Sequence, residues 1–370
     1  MKSVVPEDNA RGKLFYAFLE LIEKKPYSKI KVSELIEKAG VNRSTFYRYY
    51  SDIYDFFDRI CSSGLYYATS GLDKCAAKGN LESGLNDFYE VLSSRIDIFA
   101  DVAKKVTGKN GSLLFVKSFR GYLIDRLEDA FSPSSDEDYF LILYYADAIY
   151  FRLLSAVCEK GDILSAEENE FRYSPDIGIL QNIVNCISLN GSEIYLRLMK
   201  SAANMFLTRE PRALNVNNIT TFAKVSRTEF YNFFGNIPKM VKEGMNAAFT
   251  VAAQVLFTCS VCDESEFETK TPPLDLEDML KTDGAVELAS HHREYYAFLS
   301  DTRSLLIRLI KKHLLERDFH PNEVQNRELE FYGAWATMCF INCAEETNAV
   351  DFRQKMHWAK NRLEEKGIRL

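Results

Sequence analysis

The sequence predicts an all-helical protein made of two copies of one unit, each a small helical head on a larger helical body. Three observations carry this. Nine prolines and seventeen glycines in 370 residues leave long stretches without a breaker. Apolar residues recur at spacings of three and four along most of the chain. Finally, the chain matches itself without a gap when slid by 184 positions, almost half its length.

The matching runs are Val32 to Ile53 (VSELIEKAGVNRSTFYRYYSDI) and Val216 to Ile237 (VNNITTFAKVSRTEFYNFFGNI). Seven of the 22 positions are identical: Val32/Val216, Ala39/Ala223, Val41/Val225, Arg43/Arg227, Phe46/Phe230, Tyr47/Tyr231 and Ile53/Ile237. Six more are close in chemistry, among them Tyr50/Phe234 and Asp52/Asn236. A tandem duplication of one unit of about 185 residues follows. The expected domains are a head at 1–53, a body at 54–190, a degenerate second head at 191–237 and a second body at 238–370.

In the first head, Leu14, Phe15, Phe18, Leu21 and Ile22 form the apolar stripe of a first helix, which ends near Lys24-Lys25-Pro26. Ser33 is the expected N-cap of a second helix that carries Ile36 and Ala39 on one face. Gly40 suits the left-handed residue that closes it. Asn42 is placed to cap a third helix, Arg43 to Tyr50. Two short helices around a three-residue turn make a helix-turn-helix. Val41 and Phe46 should pack inward on Leu35 and Ala39. That leaves Arg43, Ser44, Thr45, Tyr47, Arg48 and Tyr49 outward, hydroxyl, guanidinium and phenol groups of the kind that donate to phosphates and base edges.

Ten further helices are expected in the bodies. In the first they span Tyr54–Lys78, Glu82–Lys105, Ser112–Phe131, Asp136–Lys160 and Pro175–Leu189. In the second they span Lys239–Thr258, Leu274–Asp301, Ser304–Arg317, Pro321–Thr347 and Asp351–Lys366. Tyr139 to Val157 and Phe331 to Cys343 are apolar nearly all round, as in helices buried on several sides.

The net charge of −7 is unevenly spread. Ala10 to Ile60 holds ten bases and seven acids, and Ile194 to Gly244 holds eight bases and three acids. Two basic heads on acidic bodies let an acidic protein dock on phosphate. No apolar run reaches the ~18 residues of a membrane span, so no membrane partner is expected. Met1 to Arg11 has two acids, two bases and no apolar core, so no leader is expected and the location should be cytoplasmic. Eight cysteines without framework spacing fit reduced thiols.

The segment VSELIEKAGVNRSTFYRYYSDIYDFF resembles the N-terminal DNA-binding domain of TetR-family transcriptional regulators. The resemblance rests on the turn Ala39-Gly40-Val41, the core Ser44 to Tyr47, and Tyr49-Tyr50 leading into a long fourth helix. It covers about 50 residues per copy. It implies a fold in which the fourth helix links each DNA-reading head to a helical effector body. It also implies that two heads bind successive major grooves of a double-stranded operator. Ser33, Arg43, Ser44, Thr45, Tyr47, Arg48 and Tyr49 fall on the family's DNA-contacting positions. A lysine that many members use on phosphate is replaced by Ile53, and by Ile237 in the second copy.

The second copy has drifted. Lys224 replaces Gly40, so the turn needs a costlier backbone. Glu229 replaces Thr45 and would repel phosphate, although a carboxylate can also accept from cytosine. Asn232 replaces Arg48, exchanging a charge for an adenine-reading amide. Arg227, Thr228, Tyr231 and Asn232 are its candidate DNA contacts. Its supporting helix survives as Leu196, Met199, Ala202, Ala203 and Phe206, and Pro238 is expected to open its fourth helix. A different half-site and a scaffold that has lost its DNA are both open.

The resemblance implies a small-molecule effector in a body, and an aromatic-lined pocket would suit a hydrophobic or aromatic one. Candidates are Tyr66, Phe88, Phe99, Phe115, Phe119, Tyr122 and Tyr144, although aromatic residues at this spacing are more often plain core. The two apolar helices would join the halves as a pseudo-dimer within one chain, with further homodimerisation open. Cys259-x-x-Cys262 lacks a second pair, and His291, His292 and His313 lack partners at ligand spacing. No metal site, cofactor motif or catalytic motif is present, so an enzyme is not expected. The expected function is a regulator, with repression the expected outcome. The alternative is a degenerate regulator that has become a protein-interaction module.

Overall fold

The structure is a computed structural model. It describes residues 9–77, 79–107, 114–157, 193–195, 197–198, 201–202, 215–237, 239–240, 252–253, 255–262, 293–346 and 349–370. Every regular element among them is helical. The chain divides into two compact units, Met1–Glu159 and Lys160–Leu370. The expected boundary at 190 and the expected helix Pro175–Leu189 lie outside the described residues.

In the first unit, α1 (Ala10–Ile22) starts on Asn9, whose side chain accepts from the Gly12 N–H at 2.8 Å. A single 3-10 turn, Tyr27–Lys29, follows Pro26. Next come α2 (Val32–Ala39) and α3 (Arg43–Tyr49). Ser33 is not the N-cap of α2. Lys31 is, its carbonyl accepting from the Leu35 N–H, and Ser33 lies exposed within the first turn. Gly40 closes α2 at φ 62°, a left-handed residue that costs glycine nothing.

The linking helix is shorter than its pattern suggested. α4 runs Ile53–Thr69, Gly71 breaks it at φ 94°, and α5 (Leu72–Ala76) is a separate short helix. Asp52 accepts from the Tyr54 and Asp55 N–H groups and so caps α4. α6 (Leu81–Thr107) and α7 (Leu114–Phe131) lead to α8 (Asp136–Val157). α8 packs on both α6 and α7, and α4 packs on α6 and α7. Ile142 to Phe151 is buried without interruption, the all-round burial its composition required. One charge sits in that run: Asp147, buried and paired with Arg120 of α7 at 2.6 Å.

In the second unit, α9 (Val216–Ala223) and α10 (Arg227–Phe233) have the lengths of α2 and α3 and lie 184 positions later. The core is likewise repeated. Leu14, Leu35, Phe46 and Phe56 are buried in the first head; Leu198, Ile219, Phe230 and Met240 are buried at the matching places. The body is described for α11 (Arg293–Glu316), α12 (Glu323–Glu346) and α13 (Ala349–Glu365). α12 packs on α11 and α13, and Phe331 to Cys339 is buried throughout.

Two expected helices divided near 301–304 are one helix, α11. The run Asp301-Thr302-Arg303-Ser304, where the two expected helices met, contains no glycine or proline, and Thr302 is buried. Burial also pushes the Asp301 carboxyl up to about 6, against the opposing pull of Arg308. Arg303 pairs with Glu330 of α12 at 2.5 Å. Both this pair and Arg120–Asp147 join residues 27 apart on consecutive helices, and they lie 183 positions from each other.

Candidate nucleic-acid interface

The reading surface of the first head is set by what α3 must bury. Phe46 is fully buried, with its ring against Tyr50 and Phe56. Fixing Phe46 inward fixes the opposite face outward. Arg43, Ser44, Tyr47 and Arg48 are therefore exposed, and Thr45 and Tyr49 are half-buried. Tyr47 keeps 46 % of its surface open. Tyr50 turns inward, and burial raises its phenol above the usual value. All the residues expected at this interface lie on α3 except Ser33, which lies exposed on α2.

Two guanidinium groups lie over tyrosine faces. The Arg43 guanidinium carbon is 5.5 Å from the Tyr47 ring centroid. That of Arg11, from the first turn of α1, is 4.4 Å from the Tyr49 centroid. Stacking orients a guanidinium and leaves its N–H edge available to phosphate oxygens. Arg11 is a residue the sequence pattern did not single out, because nothing in one dimension links the start of α1 to the end of α3.

Ile53, where the resemblance implies a phosphate-contacting lysine in many members, is buried at 7 % exposure. It packs inward at the first position of α4 and presents nothing to phosphate. Ile237 packs on the core of the second head in the same manner.

The second head keeps the scaffold and changes the surface. Arg227, Thr228, Tyr231 and Asn232 are exposed, with Tyr231 at 54 %. Lys224 adopts φ 54°, the strained left-handed form that Gly40 takes freely. Arg197 supports this turn by donating to the carbonyls of Ala223 at 2.5 Å and Lys224 at 2.8 Å. Glu229 has a local role that the sequence reading passed over. It accepts from the Ser226 N–H at 2.8 Å and hydroxyl at 2.7 Å, closing a capping box with the Ser226 side chain. The Ser226 hydroxyl and N–H hold its carboxyl below the usual range. The signal, Ser-x-x-Glu, was present in the sequence. Arg227 donates to the Asn217 side-chain oxygen at 2.9 Å, so it is tied to α9. Asn217 stands where the first head has Ser33.

Among the candidate effector contacts, Phe88, Phe119 and Tyr144 are fully buried on α6, α7 and α8. Tyr122 is half-buried. Tyr66 is 71 % exposed on α4, so its ring faces solvent rather than the interior of the body. The side chains of Phe99 and Phe115 lie outside the described residues. Pro238, His291 and His292 lie outside them too. Neither Cys259 nor Cys262 is in a disulfide, and burial pushes the Cys259 thiol up to about 12, which keeps it protonated at neutral pH. No group of three metal-ligating side chains occurs among the described residues. No described helix is long and apolar enough to cross a membrane.

Residues 17–60 match the family model described as bacterial regulatory proteins, tetR family. The match begins within α1 and ends within α4, so it takes in the first helix-turn-helix and every outward residue of α3. No curated protein and no solved structure matches the chain. A DNA-binding transcriptional regulator with a TetR-type head is what this match supports.

Proposed function

We propose that the chain is a ligand-responsive DNA-binding transcriptional regulator in which two TetR-like units are fused in tandem. The observation that carries this reading is the second helix-turn-helix. α9 and α10 repeat α2 and α3 in length and register, bury the equivalent residues, and expose an arginine and a tyrosine at the same places. In the bodies, the acid–arginine pairs Arg120–Asp147 and Arg303–Glu330 support the same reading, since they recur at nearly the same offset. The same reading expects the two halves to pair as a pseudo-dimer in one chain.

The mechanism is two-state. With the heads about 34–36 Å apart, α3 and α10 enter neighbouring major grooves on one face of a duplex. A hydrophobic or aromatic effector in a body favours another spacing and releases DNA, which gives repression in its absence. For that, it must bind the released state more tightly by a few kcal/mol.

The test is binding-site selection on the full chain, with mass by light scattering. The reading expects an asymmetric pair of half-sites one helical turn apart and a particle of 42.5 kDa. A particle of twice that mass replaces the pseudo-dimer by a four-headed dimer. Recovery of no duplex refutes DNA binding and leaves the protein-interaction module. A perfect palindrome refutes the distinct roles of the two heads.

A further inference from the structure

We infer that Arg11 is a phosphate contact of the first head, positioned by Tyr49, for which the second head has no cationic counterpart. This rests on the DNA-binding reading above and deepens it.

Arg11 is exposed and comes from a different helix than the outward residues of α3. Among the described residues it has no ion pair, and its contact is with the Tyr49 ring at 4.4 Å. The first turn of α1 contains no acid, so the cation stands at the end of a helix that disfavours positive charge. Tyr49 closes the same helix that exposes Arg43 and Arg48, so Arg11 extends their cationic surface sideways.

The second head provides the control. At the matching positions it has Tyr195 and Phe233, and their rings meet at 5.8 Å, edge to face. The junction between first and third helices therefore packs without a cation. A guanidinium there in the first head adds nothing that packing requires. Its forked donors match a phosphate oxygen pair, and its stem and plane are already held by the tyrosine face. The surrounding changes run the same way. Arg227 is tied to Asn217, Asn232 stands in place of Arg48, and the carboxylate of Glu229 stands in place of a hydroxyl.

The test titrates full-length protein with a labelled mixed-sequence duplex over a range of salt, because the phosphate contribution is independent of sequence. Arg11→Gln and Arg11→Met both remove the charge, and the second keeps the apolar stem over the ring. Each should lower the slope of log K against log salt by about 0.9, one phosphate contact, and weaken low-salt binding roughly five- to tenfold. Arg11→Lys, which keeps the charge, should keep the slope. Slopes equal to wild type in both charge-free variants overturn the inference, whatever happens to thermal stability. If Arg48→Ala lowers the slope and the Arg11 variants do not, the DNA-binding reading stands and this inference alone fails. If the wild-type protein binds no duplex at the lowest salt, both fail.

Discussion

The two heads share a skeleton and differ in how they use their polar side chains. Both close the first helix of the motif with a left-handed residue, bury a phenylalanine at the centre of the third helix and leave a tyrosine outside it. In the first head, Arg11 and Arg43 lie on tyrosine faces. In the second, Arg227, the counterpart of Arg43, donates to Asn217, while Glu229 holds Ser226 and Arg197 holds the turn carbonyls. The lesson is that a repeated motif can keep its core under packing constraint while its surface is redirected from binding to self-support.

Paired substitutions test this contrast, the largest effect first. Phe46→Ala and Phe230→Ala each empty a fully buried site and should each cost about 3–5 kcal/mol in thermal or denaturant unfolding. A negligible loss at Phe230 would break the claim that the second core is equivalent. Arg43→Ala should weaken duplex binding about tenfold or more, whereas Arg227→Ala should change it only about twofold, as titration of both variants would reveal. Equal losses would mean that the Asn217 tie opens on DNA and that the heads are equivalent readers.

Capping comes next. Ser226→Ala should destabilise the second head by about 1 kcal/mol, and Asn42→Ala the first by less, since the Asn42 side chain makes no capping bond. The Ser226 effect should depend on pH. The Glu229 carboxyl is lowered in the folded state, so its contribution is present above the unfolded value near 4.5. It fades as pH falls through the folded value, and unfolding curves of the two variants taken at pH 7 and pH 3 should show the difference closing. The smallest expected effect is at the turn. Gly40→Lys should cost about 1 kcal/mol, and Lys224→Gly should be near neutral or gain a few tenths, because relief at φ 54° is offset by glycine's unfolded-state entropy. A large loss at Lys224→Gly would show that the lysine side chain supports the turn by itself.

Much of the first head was legible in one dimension. Phe46, Leu35 and Gly40 stand at spacings that fit a helix-turn-helix, and the outward set on α3 follows by subtraction. Other features were not legible, for identifiable reasons. Ser33 looked like a cap because its side chain is the right type, but the carbonyl of Lys31 starts the helix two residues earlier. The expected division between Asp301 and Ser304 has no breaker residue behind it, and α11 runs through it. At the position of Thr45 the Glu229 carboxylate reads as a group that repels phosphate or accepts from cytosine, but the Ser-x-x-Glu spacing closes a capping box with Ser226.

By itself the sequence determined the helical class, the offset of 184 between two like segments and the inward and outward faces of each third helix. These follow from periodicities of the chain, and periodicity is a local property. Tertiary structure decided which polar groups remain available. Arg11 meets Tyr49 across 38 positions, Arg120 meets Asp147 across 27, and Arg197 reaches the turn at Ala223 across 26. Such pairings depend on the angle at which helices cross, which no spacing along the chain encodes. They separate a head whose Arg11 and Arg43 stack on tyrosine rings from one whose Arg197 and Arg227 hydrogen-bond within the head.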